Sequence, residues 1–333
     1  GDVPAQFLND VTAYNGADGV ADTVTHAVIM AAFGRVQPTS GETVTMRGTF
    51  CHEFGHALGL PDLYSAGTGG TGSGGIGDWG IMGTGNYSGR PQGDSPAWMD
   101  PWSREYLGWA DTKILDTSTS ITITKAQSTT DSRIYKIYAD SASSTTEYFL
   151  LEVREPNNSG VDSAPGVGML IWHIDNTMGS LAANNVNNLS VVAHRRVDLE
   201  EADASDVGAS SSAFPGSASQ PWPGSSNKTA FANDSIPNSK PYSGSNARFA
   251  MKGIAFGSSV SFATDFSDVN IGSSVKYPST CLIGRMVSPW PTLAISARAL
   301  RDLRLGTERR ASRYPRDRGS QFGTGRQGDH RGP

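Results

Sequence analysis

Between residues 51 and 64 the chain reads CHEFGHALGLPDLY, and within it His52, Glu53, His56, Gly59 and Asp62 form the pattern H-E-x-x-H-x-x-G-x-x-D. This spacing dictates a helix that must stop and turn. On a helix advancing about 100° per residue, His52 and His56 stack one turn apart on a single face. Phe50, Phe54, Ala57 and Leu58 fall opposite them as an apolar stripe, expected to face the core and leave the histidines facing a cleft. Gly59 can adopt the left-handed conformation that ends a helix, and Pro61 cannot extend one. The chain can then double back and bring Asp62 to the two imidazoles.

Two imidazoles and a carboxylate suit zinc, and three protein ligands leave the fourth position open for water, the mark of a catalytic rather than a structural zinc site. Glu53 lies about 100° round from His52, outside the ligand set but beside it, where it can act as general base and later return the proton to a leaving amine. An aspartate third ligand leaves a lower net charge than a third histidine, so a slightly weaker Lewis acid is expected. H-E-x-x-H alone also fits a helix with two incidental surface histidines, but Gly59 and Asp62 at fixed offsets argue against that. Glu53→Ala is expected to stop hydrolysis with zinc still bound, and His56→Ala to lose the metal as well.

Downstream stand GDWGIMGTG at 77 to 85 and SPAWMDPW at 95 to 102. Together with HEFGHALGLPDLY, the string GIGDWGIMGTGNYSG resembles the immune inhibitor A family of secreted zinc endopeptidases, which are metzincin-like zincins. The resemblance implies protein or peptide substrates, secretion, and a methionine turn beneath the metal, matched by Met82. It continues through PAWMDPWSREYLGW (96 to 109), which is similar to the helix after that turn, with Trp102, Tyr106 and Trp109 as packing anchors. EYFLLEVREP, GVGMLIWHID, VDLEEAD and FPG are similar in order to further family blocks, so the likeness runs from about residue 15 to 266. Only 51 residues precede His52, and part of the upper, substrate-binding subdomain is expected to be missing.

Beyond residue 112 the pattern is all strand: ITITKA, RIYKIYA, EYFLLEV, GMLIWHI, AMKGIAF and SVSFATDF, separated by Ser, Asn, Gly and Pro clusters, predict an antiparallel β-sandwich. The expected fold class is thus α+β, with a zincin-like catalytic domain at 1–112, a β-sandwich accessory domain at 113–268 and a basic tail at 269–333. Asp198, Glu200, Glu201, Asp203 and Asp206 crowd one stretch whose oxygens can bind calcium, which the resemblance also implies; a solvated acidic turn explains them equally. His173 reads as a hydrogen-bonded core or edge residue, while His26 and His194 show no partner pattern. Tyr64 and Tyr87 are candidates for the cleft wall or for a hydrogen bond to a developing oxyanion. The glycine-rich stretch from 65 to 75 borders the groove or serves as a linker.

No run of 18 apolar residues exists to span a membrane, and the two cysteines, Cys51 and Cys281, offer no disulfide framework. Residues 271 to 333 hold 11 Arg and one Lys against three Asp and one Glu, so the rest of a chain whose net charge is −5 is strongly acidic. That division points to a disordered or non-native tail, and the acidic remainder argues against nucleic acid as a partner. The reading is a zinc metalloendopeptidase with His52, His56 and Asp62 as ligands and Glu53 as acid and base. The rival is a secreted protein that binds glycan or a surface protein through the β-sandwich, with an inactive protease half.

Overall fold

The computed structural model describes residues 43–64, 74–124, 134–140, 146–156, 162–187, 194–205 and 216–271, with the backbone of short strands ahead of them. Those strands are β1 (Gln6–Leu8), β2 (Tyr14–Asn15), β3 (Thr23–Val24), β4 (Ala27–Ile29), β5 (Arg35–Val36) and β6 (Thr43–Val44), paired β1 with β4, β2 with β3 and β5 with β6. His26, Asp206, Cys281, residues 65–73 and the tail from 272 lie outside the described residues.

Helix α1 (Arg47–Ala57) carries the zinc-type motif, and the turn after it forms as the sequence requires. Gly59 sits at φ +96°; its amide donates to His56 O at 2.9 Å and that of Leu60 to Gly55 O at 3.0 Å. This is the paired closure that a left-handed glycine makes at a helix C-terminus. Helix α2 (Pro101–Tyr106) is shorter than PAWMDPWSREYLGW led one to expect. Asp100 caps it, accepting from Ser103 N at 2.9 Å, and Pro101 fills the first turn where no amide is needed. Of the three aromatic anchors only Trp102 is buried; Tyr106 and Trp109 are about half exposed.

The rest is strand: β7 (Thr112–Ile114), β8 (Thr119–Ile123), β9 (Ile134–Tyr138), β10 (Glu147–Arg154), β11 (Gly168–Asp175), β12 (Val197–Leu199), β13 (Ala230–Phe231), β14 (Ala250–Phe256) and β15 (Val260–Asp265). A four-stranded antiparallel sheet runs β13-β14-β15-β8, and a five-stranded one β12-β11-β10-β9-β7. The second sheet departs from the fully antiparallel expectation, because β7 pairs with β9 in parallel, Thr112 opposite Ile134. The fold is therefore mixed α/β with two principal sheets and little helix.

The central strands β10 and β11 are buried on both faces, which is why EYFLLEV and GMLIWHI read as unbroken apolar runs instead of alternating ones. Phe149, Leu151, Val153, Met169 and Ile171 share a core with Ile123, Phe231, Met251, Ile254, Val260 and Phe262 of the other sheet. Leu150, Leu170, Trp172 and Ile174 point the opposite way and share a second core with Leu60, Leu63, Trp79, Met82 and Trp102. Each fully buried side chain of this size contributes about 1.5–3 kcal/mol of burial free energy. The sheet is thus the platform on which the motif loop rests. A buried ionic group ties the two together: Arg154, fully enclosed, donates to Trp79 O at 3.0 Å and pairs with Glu152 and Asp162.

One expectation is reversed. Phe50 and Phe54 are about half exposed, and the buried residues of α1 are Gly48, Thr49, His52 and Gly55. The helix turns its histidine and glycine face inward because the imidazoles find backbone acceptors there and Met82 packs closely on Gly55. A β-carbon at Gly55 would lie 2.5 Å from Met82 Sδ. The apolar stripe instead lines an open groove with Trp98, Met99 and Trp109.

Candidate metal centre

The helix and its glycine turn bring His52, His56 and Asp62 together: one ligand atom from each lies within 4.8 Å of the others. Asp62 Oδ1 stands 3.1 Å from His52 Nε2 and 3.2 Å from His56 Nε2. The other ring nitrogens are committed elsewhere. His52 Nδ1 is 2.8 Å from Ile81 O and His56 Nδ1 is 2.8 Å from Leu60 O. A carbonyl oxygen can only accept, so each Nδ1 must carry a proton, and in its neutral form each ring turns a lone pair at Nε2 towards Asp62.

Three electron-pair donors therefore face one another. Buried Asp62 Oδ1 makes no properly angled hydrogen bond although both Nε2 atoms are close. Such a cluster is repulsive unless a proton or a cation sits within it. Bonds of about 2.0–2.1 Å in a tetrahedron separate neighbouring ligand atoms by about 3.3 Å, close to the contacts found. Two imidazoles and one carboxylate are a donor set suited to zinc, and backbone carbonyls holding the outer nitrogens are the usual second layer of such a site. The residues present fit the ion.

Without a metal, a proton taken up at Nε2 relieves the same repulsion, and the pKa directions reflect that. Burial would raise the pKa of Asp62, but the two imidazoles outweigh it and hold the carboxyl well below the usual range. Burial would lower that of His56, but Asp62, Leu60 O and Glu53 together raise it. Glu53, half-buried on the next position of the helix, is near enough to act on both His56 and the Tyr64 hydroxyl. The Tyr64 ring lies roughly parallel to His52 with centroids 6.0 Å apart. Its hydroxyl is pushed up first by burial and then by Asp62, and stays a proton donor. Tyr87 is half exposed.

The loop from 77 to 87 completes the floor. Ile81 O receives His52, Met82 O receives Leu63 N at 2.8 Å, and Met82 is wholly buried. Two residues missed in the sequence also reach this turn. Asn184 Oδ1 accepts from Asp62 N at 2.6 Å, and its Nδ2 donates to Asp62 Oδ2 at 2.7 Å. Asn187 Nδ2 donates to Leu63 O at 2.9 Å and to Val197 O at 2.8 Å.

The acidic stretch disperses instead of converging. Asp198 pairs with Arg195, Glu200 accepts from His173, and Asp203 caps a turn through Ser205. Among the described residues the His52, His56 and Asp62 group is the one cluster with metal-ligand spacing, and no support for calcium emerges. His173 is enclosed, with Nε2 2.9 Å from Glu147 and Nδ1 3.0 Å from Glu200. His194, which showed no partner in the sequence, lies 2.8 Å from Asp175 and stacks on Tyr242.

Residues 6–110 match the family described as the immune inhibitor A peptidase M6 catalytic domain. Over 60 residues the chain is 38% identical to the pre-pro-metalloprotease PrtV of Vibrio cholerae, in strain M66-2 and in the El Tor strain N16961 alike. That likeness covers 18% of this chain and only 6% of each relative's length. The likeness to a metallopeptidase catalytic domain thus takes in the residues that carry the H-E-x-x-H motif.

Proposed function

We propose that the protein is a secreted zinc-dependent metalloendopeptidase that hydrolyses peptide bonds of protein substrates. The observation that carries this reading is the convergence of two lone-pair nitrogens and one carboxylate oxygen, each fixed by a backbone or side-chain partner, beside a glutamate. His52, His56 and Asp62 would hold the ion. Zinc, when bound, supplies Lewis acidity that makes a water acidic at neutral pH and polarises a carbonyl. Glu53 takes the proton released as the peptide carbonyl is attacked and hands it to the leaving amine. Tyr64, whose ring lies beside His52, is a candidate for the cleft wall or for a hydrogen bond to the oxygen on which negative charge develops.

The same reading assigns catalysis to residues 1–112 in a zincin-like arrangement, with 113–268 as a supporting β-sandwich and 269–333 as a basic tail outside the catalytic unit. Secretion is carried over from the family resemblance. Among the described residues no helix is long and apolar enough to cross a membrane. The test is hydrolysis of a quenched casein substrate by the purified chain before and after chelation. Cleavage lost with the chelator and restored by zinc supports the proposal. Zinc-independent cleavage, or none from zinc-loaded protein, contradicts it.

A further inference from the structure

The turn that presents Asp62 is held from far along the chain. Asn184 grips it at two points, accepting from the Asp62 amide at 2.6 Å and donating to Asp62 Oδ2 at 2.7 Å. The carboxylate is thereby divided: Oδ2 is taken by the amide, and Oδ1 is left facing the two imidazoles. An aspartate is short and its terminal torsion is soft, so without a partner on Oδ2 it can rotate both oxygens away from the ligand position.

The holder is itself anchored. Val186 is fully buried in the core beneath the motif loop, and Asn187 bonds Leu63 O on one side and both the amide and carbonyl of Val197 on the other. The Asn184 amide donates to Leu181 O at 3.0 Å. Asn184 has φ +49°, a left-handed conformation that asparagine tolerates better than any residue except glycine. Its own side chain is on the exposed side of the turn, outside both hydrophobic cores.

We infer that Asn184 is a positioning residue for the metal centre, orienting Asp62 as a ligand through one oxygen, and that the segment at 181–187, beyond the family-matched residues 6–110, completes the site. This rests on the reading of His52, His56 and Asp62 as zinc ligands. Outer partners of metal ligands typically affect metal affinity by about 10–100-fold.

The test compares the full chain with Asn184→Gly and Asn184→Asp. Glycine keeps the left-handed turn and deletes the side chain. Aspartate keeps the turn and the shape but sets a second carboxylate against Asp62 Oδ2. Zinc affinity is measured against a competing chromophoric chelator, and each protein is then saturated with cobalt(II) and its visible absorption recorded. The expected result is zinc binding weakened about 10-fold or more in Asn184→Gly and further in Asn184→Asp, with altered cobalt bands in both. A loosened fold lowers affinity but leaves the bands of the saturated site in place, so an unaltered cobalt spectrum overturns the inference, as does unchanged zinc affinity in Asn184→Gly. Failure of the parent chain itself to bind zinc overturns the ligand assignment and the positioning role together, and is distinguished by needing no variant.

Discussion

Two of the places where imidazole meets carboxylate in this molecule have opposite consequences. At the proposed metal centre, His52 and His56 each give Nδ1–H to a backbone carbonyl and turn Nε2 towards Asp62. At His173 both ring nitrogens face carboxylates, Glu147 and Glu200, at 2.9 and 3.0 Å. There the ring satisfies both acceptors only by carrying two protons, and its pKa is pushed up to about 9, the two glutamates outweighing the burial that would lower it. The ring lies between Phe149 and Tyr242, with centroids 4.2 and 4.1 Å away. His173 supplies its own cation; at the His52, His56 and Asp62 cluster the proposed metal would supply it. Distances alone do not separate these sites, whereas the partner on the far nitrogen does.

The comparison can be broken most severely by removing one imidazole from each site. His56→Ala is expected to lose bound zinc and all measurable peptide hydrolysis, while His173→Ala keeps one zinc per chain but is destabilised by several kcal/mol, since it strands two carboxylates beside a core. Metal analysis and chemical denaturation of both variants check this, and a zinc loss in His173→Ala would erase the distinction. Next in size is Glu53→Ala, expected to retain zinc and lose about 10²–10⁴-fold in turnover, because it removes the proton carrier and none of the ligands. Unchanged turnover would remove Glu53 from the mechanism.

A subtler distinction is in pH. The folded pKa of His173 lies above the ordinary value of 6.5, so its stabilising contribution is complete below about pH 6.5 and is lost as pH rises through about 9. Unfolding free energy should fall by at most about 3 kcal/mol across that window, and His173→Gln should flatten the fall. The metal centre should behave in the opposite sense, since its ligands bind metal only when deprotonated and zinc affinity should rise with pH from acid to neutral. The smallest expected effect is thermal. Saturating zinc should raise the melting temperature by a few degrees, with 100 times Kd of free zinc contributing about 2.7 kcal/mol. No such shift is expected in His56→Ala.

What the sequence revealed follows the range of the forces involved. His52, His56 and the Gly59 turn are local geometry, so helical periodicity and a left-handed glycine were enough to bring Asp62 to the imidazoles. The direction of α1 was not legible. The wheel placed Phe50 and Phe54 inward, but face selection was decided by Ile81 O and Met82, which arrive from another loop. Asn184 and Asn187 act across 122 and 124 residues. In the run AANNVNN nothing distinguishes them from ordinary loop asparagines. The strands β10 and β11 were visible as apolar runs; that each is buried on both faces explains those runs only after the second layer is known. Density of carboxylates likewise misled at 198 to 203, where neighbours in sequence have separate partners in space.

The central claim is that the Nε2 atoms of His52 and His56 and one carboxylate oxygen of Asp62 bind a metal. It is tested most directly by measuring zinc per chain in the intact protein by native mass spectrometry, alongside His56→Ala and His173→Ala. One zinc in the parent and in His173→Ala, with none in His56→Ala, is the result the account predicts. A parent chain that binds no zinc, or a His56→Ala variant that retains a full equivalent, would contradict it.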